Sequence, residues 1–172
     1  ALKLGLRDYV RKCVFSSVVL GLSGGIDSAV VAVLAADALG PENVVGISMP
    51  SRYSSDHSQS DADDLARRLG IRCPRVAIEP MHCAFEAALG QALAEGNREI
   101  ADENIQARIR GAVVMAFSNA FAHMPLATGN KSELSTGYCT LYGDMVGGLA
   151  PIGDVYKTQV FRLAQHLNVE AG

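Results

Sequence analysis

The chain has 172 residues, enough for one domain with a buried core, and 49% of them are hydrophobic, which excludes an intrinsically disordered segment. A formal net charge of −3 with no lysine- or arginine-rich block leaves no footprint for a nucleic-acid backbone. No apolar run approaches the roughly 20 residues that span a bilayer.

Residues 1–12 place Leu2, Leu6, Tyr9 and Val10 at helical spacing, which predicts an amphipathic helix packed on a sheet. The run Val18-Val19-Leu20-Gly21-Leu22 then enters the turn Ser23-Gly24-Gly25-Ile26-Asp27-Ser28, and an almost wholly apolar helix is expected over 27–39, ended by Gly40-Pro41. A buried parallel strand that feeds a helix through two glycines presents the helix-start amides from Ile26 to Ala29 to an anion. Ser23 and Ser28 add hydroxyls. The Asp27 carboxylate makes sense beside phosphates if a divalent cation lies between them. There is no Gly-Lys-Ser/Thr ending and no GxGxxG, so neither a Walker loop nor a dinucleotide fingerprint is present.

A second strand is expected at 44–50, a polar loop at 51–58 and a helix from about Ser60 to Leu69, with Asp61, Asp63 and Asp64 in its first turn as dipole-capping charges. Residues 72–78 read as a third strand, and Pro74 suits a sheet edge. Helices follow over 81–94 and 100–123, separated by Gly96-Asn97. In the second of these Ile105, Ile109, Ala112 and Ala116 form the expected core stripe. Asn104 and Arg108 share another face, and Val113, Phe117, Ala120 and Phe121 give a further apolar face suited to a dimer contact.

A short strand over 124–130 leads into a long glycine-rich segment, a last strand over 149–152, and a helix from Tyr156 to about Leu167. Cys13, Cys73, Cys83 and Cys139 form no CxxC or Cys/His ligand pair and read as buried or free thiols of a reducing cytoplasm. His57, His82, His123 and His166 show no ligand spacing among themselves and offer no evident metal or base site. Strands alternating with helices imply an α/β, doubly wound parallel sheet of five strands with helices on both faces, which binds ligands at the carboxyl ends of its strands.

Residues 23–28 resemble the SGGxDS loop of the ATP pyrophosphatases, the PP-loop superfamily with the adenine nucleotide alpha hydrolase-like fold. Taken with residues 50–58, Glu103-Asn104-Ile105-Gln106-Ala107-Arg108-Ile109-Arg110-Gly111, and the run 127–157, the chain resembles the synthetase domain of NAD synthetases, nearest to the glutamine-dependent kind. The four motifs stand in order across 1–172, read as one domain.

The resemblance implies a ligase of NAD biosynthesis that amidates deamido-NAD. ATP is cleaved to AMP and pyrophosphate, and ammonia or glutamine supplies the nitrogen. It implies that Gly21, Leu22, Ser23, Gly24, Gly25, Ile26, Asp27 and Ser28 cradle ATP phosphates, with Thr128 and Lys157 as further ATP contacts. It further implies that Asp27 and Glu133 bind Mg²⁺, that Asn104, Arg108 and Glu133 contact deamido-NAD, and that Asp27, Glu133 and Lys157 carry the catalysis. A homo-oligomer is expected.

Family members of this kind carry a glutaminase domain ahead of the synthetase part and a substrate lysine with a mobile loop beyond it. The chain opens on Ala1 and stops one helix after the last strand, so it reads as a piece of a longer protein, incomplete at its carboxyl end. Other PP-loop synthetases, or a non-catalytic nucleotide-binding module, are the alternatives.

Overall fold

The structure, a computed structural model, describes residues 1–170. Of the single domain expected over 1–172, residues 171 and 172 lie outside the described residues. The first helix, α1 (Leu2–Lys12), buries Leu6 and Val10 and leads into strand β1 (Val18–Gly21). Helix α2 (Ile26–Leu39) follows directly and ends at Gly40, whose φ of 89° belongs to glycine. After a 3-10 turn at Pro41–Asn43, strand β2 (Val44–Ile47) pairs in parallel with β1, Val18 opposite Val44 and Gly21 opposite Ile47.

Helix α3 (Asp56–Leu69) starts four residues earlier than its polarity suggests, because Ser55 caps it by accepting a hydrogen bond from the Ser58 amide at 3.1 Å. Asp61, Asp63 and Asp64 therefore sit in the second and third turns rather than the first. Asp64 pairs with Arg67 and Arg68 one turn on, and Asp63 with Arg75 at 3.4 Å. Helix α4 (Glu79–Leu89) stops short of the expected end at Ala94 and dissolves into turns from Gly90. Helix α5 (Arg98–Phe121) is capped by the Asn97 side chain.

Strand β3 (Met124–Pro125) pairs with β1 on the side away from β2, giving the order β2-β1-β3. Helix α6 (Lys131–Thr136) and helix α7 (Lys157–Glu170) complete the described elements.

Three strands form the sheet among the described residues, not five. The expected outer strands survive as isolated parallel bridges, Val45 with Arg72 and Ser48 with Arg75 on one edge, and Leu126 with Leu149 on the other. Pro74 has no amide to give a ladder, and the Gly147-Gly148 pair ahead of Leu149 packs no side chain that would straighten a strand.

Helices cover both faces. Val18, Leu20 and Met124 pack with α1, α2 and α7 through Leu6, Val31, Leu34 and Val160. Val19, Val45 and Ile47 point the other way, onto Val113 and Val114 of α5. Alternation along β1 thus feeds two cores.

The expected core stripe of α5 is rotated. Ile109 is buried, but Ala112 and Ala116 are exposed, and the sheet takes Val113 and Val114, with Phe117 beside them, instead. This helix is apolar on several sides, so its periodicity cannot select which side meets the sheet. Among the described residues no helix is long and apolar enough to cross a membrane.

Where α5 ends, the buried His123 ring shares a hydrogen bond through Nδ1 with the Ser17 hydroxyl, 2.6 Å away. Burial first, and the Arg72 charge second, hold this imidazole below the usual histidine range. The folded state therefore prefers the neutral ring, while the unfolded chain takes up a proton near pH 6.5 or so. The stabilisation is complete above that pH and is lost as pH falls through it towards the folded value. Urea midpoints should decline over this window, and His123→Asn, which keeps a polar partner for the Ser17 hydroxyl but does not titrate, should show a shallower decline. Equal slopes in the two proteins would remove His123 as the cause.

Candidate active site

The carboxyl ends of the strands meet around the turn after β1. Gly24 has φ +80°, and a Cβ built on it would lie 2.2 Å from the Ser58 carbonyl oxygen, so the turn presses against the start of α3. The turn is closed on itself by hydroxyls. Ser28 Oγ donates to the Gly25 carbonyl at 3.0 Å and lies 3.1 Å from Ser23 Oγ, while the Gly25 amide donates to Ser23 Oγ at 3.2 Å. Gly25 has no side chain with which to cap α2, which leaves the amides at the start of that helix directed outwards with the positive end of its dipole.

Asp27 leaves the first turn of α2 towards α6 and α7. Its Oδ1 accepts a hydrogen bond from Asn130 Nδ2 at 3.2 Å, and its Oδ2 is in close contact with Lys157 Nζ. Asn130 is fully buried and caps α6 reciprocally. Its Oδ1 accepts from the Glu133 amide at 3.1 Å, and its own amide donates to Glu133 Oε2 at 3.0 Å. One asparagine therefore grips both acids. Lys157, the first residue of α7, is tied through its amide to Ser132 Oγ at 3.0 Å.

Asp27 and Glu133 open onto one cavity of about 180 Å³, shared with Ser23, Ser28, Thr128 and Asp144. Beside it lies a second cavity of about 250 Å³, reached past Ser23, Thr128 and Asp144, with an apolar floor of Leu22, Met49, Val114 and Leu126. A third, of about 360 Å³, runs from Ser23 along Pro50 and Ser55. Arg110 borders the second and third and donates to Ser51 Oγ at 3.5 Å; its burial lowers the guanidinium pKa from the ordinary value.

Not every expected residue joins this group. Asn104 and Arg108 border none of the three cavities. They hold the glycine-rich segment instead. Thr140 Oγ1 donates to Asn104 Oδ1 at 2.9 Å, and Arg108 Nε donates to the Leu141 carbonyl at 3.2 Å.

Conversely, sequence reasoning passed over Asn130, Asp144 and Arg110. The spacing Asn130-x-x-Glu133 before a helix is a capping-box signal that could have found the first. Asp144 stands in a long loop of the sort that carries function, while nothing local separates Arg110 from its neighbours.

The donors around the acid cavity are all oxygens, carboxylate and hydroxyl, which suits a hard divalent cation such as Mg²⁺. Parallel strands with helices on both faces, and cavities at the strand ends around a glycine turn that opens a helix, define an α/β domain built to hold an anionic ligand. Within that class the chain belongs to the NAD synthase family, whose family model matches residues 1–171.

It is 56% identical, over 99% of its length, to the glutamine-dependent NAD(+) synthetase of a Synechocystis strain. It superposes with a TM-score of 0.94 on the glutamine-dependent NAD+ synthetase of Acinetobacter baumannii solved with ADP, at 48% identity, covering 96% of this chain and 31% of that one. The TM-score is 0.89 with the NH3-dependent NAD synthetase of Campylobacter jejuni, at 35% identity, covering 97% of this chain and 70% of that one. The chain spans about 30% of the length of the curated relatives it matches.

Proposed function

We propose that residues 1–172 are one synthetase domain of a longer protein, and that the protein makes NAD+ by ATP-dependent amidation of deamido-NAD. The observation that carries this reading is the cavity shared by Asp27 and Glu133, with the Ser23–Ser28 turn on its rim and Asn130 between the acids. Relatives named as glutamine-dependent NAD(+) synthetases support it.

In the first step the nicotinate carboxylate of deamido-NAD attacks the α-phosphorus of ATP. The bond from that phosphorus to the bridging oxygen breaks, and pyrophosphate leaves with the electron pair. Ammonia then adds to the acyl carbon of the adenylate, a proton is lost, and AMP departs to leave the amide. The residues act by holding and neutralising, so no side-chain nucleophile is needed.

The amides and hydroxyls of residues 23–28 seat the phosphates, Thr128 lies at the passage between the acid cavity and the apolar one, and the apolar floor suits the adenine ring. Lys157 supplies positive charge beside Asp27. Mg²⁺, held by Asp27 and Glu133, would neutralise the charge that develops on pyrophosphate. Asn104 and Arg108 contact deamido-NAD where α5 meets residues 140–141. The protein works in the cytoplasm as a homo-oligomer. Of the α5 face expected to join the copies, Ala120 and Phe121 are exposed, whereas Val113 and Phe117 pack towards the sheet and are not available for that contact.

The test incubates the intact protein with ATP, Mg²⁺, deamido-NAD and either ammonia or glutamine. NAD+ and AMP should appear in equal amounts, and absence of both products with both donors overturns the reading. Comparing the donors shows whether a glutaminase part feeds this domain. Arg108→Ala should raise KM for deamido-NAD about tenfold or more and spare KM for ATP, as loss of one charge-assisted contact predicts. Equal effects on the two substrates would break this division of the site.

A further inference from the structure

A cavity of about 460 Å³ opens between α4 and α5 and shares no residue with the acid cavity. Phe85, Leu89 and Ile105 form apolar walls, and His82, Glu86 and Asp102 form a polar corner. His82 and Glu86 are four apart on α4, so they share a face, and Asp102 comes from the second turn of α5. One ligand atom from each of the three lies within 4.8 Å of the others. His82 is fully buried. Its Nε2 meets Asp102 Oδ1 at 2.5 Å, and its Nδ1 has no partner. A search for ligand spacing among histidines alone passes this site by, because two of its three members are acids.

We propose that His82, Glu86 and Asp102 bind a divalent cation of the zinc class, at a site separate from the magnesium site proposed at Asp27 and Glu133. One imidazole and two carboxylates are a donor set for a borderline ion, and the nitrogen disfavours Mg²⁺ and Ca²⁺. Three protein donors leave a fourth position for water, which the cavity has room to supply.

The neighbouring cations do not close the site. Glu86 meets Arg52 Nη2 at 3.1 Å, but Arg52 also holds Glu79 through its Nε at 2.6 Å. Glu86 can therefore turn to the ion without stranding the guanidinium. Arg98 and Glu99 both border the cavity and offset one another in charge.

His82 Nε2 and Asp102 Oδ1 stand closer than two ligands of one tetrahedral ion, which are ~3.3 Å apart at these bond lengths. Binding separates them by less than about 1 Å and replaces the proton that now joins them. The bound ion would fasten α4 to α5, the helix that carries Arg110 to the nucleotide cavities.

The test strips the intact protein with a chelator and titrates it with Co²⁺ as a coloured substitute for Zn²⁺. With excess Mg²⁺ present to fill the Asp27–Glu133 site, one equivalent should bind with the visible bands of nitrogen- and oxygen-coordinated Co²⁺, bleached by Zn²⁺. Glu86→Gln and Asp102→Asn keep side-chain size and should each weaken Co²⁺ binding at least about tenfold. Cys83→Ser, whose Sγ lies on Arg52 and Glu79, should leave it unchanged.

Zn²⁺ should also raise the melting temperature of the wild-type protein. That measurement decides the matter even if a variant fails to fold. No Zn²⁺-dependent rise and no equivalent of Co²⁺ bound would overturn the site, as would binding that survives Glu86→Gln and Asp102→Asn or is lost with Cys83→Ser.

Discussion

Gly24→Ala should lower the melting temperature by at least about 2 °C and abolish the further rise that ATP gives. The first part follows from the backbone, since the left-handed conformation costs a residue with a Cβ roughly 1–2 kcal/mol, and each kcal/mol is worth about 2–4 °C in a domain of this size. The second part follows from the neighbour. The new methyl would stand 2.2 Å from a backbone oxygen, that of Ser58, which has no rotamer by which to retreat. Either the turn swings away or the start of α3 does, and both line the cavities that meet at Ser23. Thermal shift with and without ATP measures both parts in one experiment. An unchanged melting point with a retained ATP response would show that the turn has another conformation in solution.

Asp27→Asn should reduce pyrophosphate release by roughly 10²–10³, the usual loss when a group that stabilises developing charge is removed. Little stability should go with it. The asparagine keeps the size of the side chain and an oxygen to accept from Asn130 Nδ2. The ion pair it breaks is partly open to water, with the Lys157 side chain 37% exposed, so the ammonium can be hydrated when its partner is gone. Pyrophosphate release and the urea midpoint should therefore separate, the first collapsing and the second holding. A large fall in the midpoint would make Asp27 a structural residue instead, one whose task is to join α2 to α6 and α7.

The parts legible in the sequence were those governed by near neighbours. The turn from Leu20 to Ala29 announces itself through its glycines and the apolar runs on either side, and β1, α2 and β2 lie where those patterns put them. The start of α3 was lost because Ser55 sits in a run of polar residues where any of several serines could cap. The rotation of α5 and the reduction of the sheet edges to single bridges depend on which distant segment arrives beside them.

The same division runs through the site. Asp27, Thr128 and Glu133 were nameable from their motifs, and their meeting in one cavity is a matter of tertiary structure. Asn104 and Arg108 were nameable too, but their attachment to residues 140–141 spans more than 30 positions and leaves no local trace.

The segment after α6 looks like free surface. Tyr138 and Tyr142 are each more than three-quarters exposed. Yet Gly147, also exposed, runs so close to the chain leaving β3 that a Cβ there would stand 2.4 Å from the Ala127 nitrogen, and the Gly148 amide is hydrogen-bonded to the Pro125 carbonyl at 2.7 Å. Anyone attaching a dye or an affinity handle to this stretch can use Tyr138, whereas a saturation library at 147 would return glycine alone, from a site that solvent accessibility would have marked as permissive.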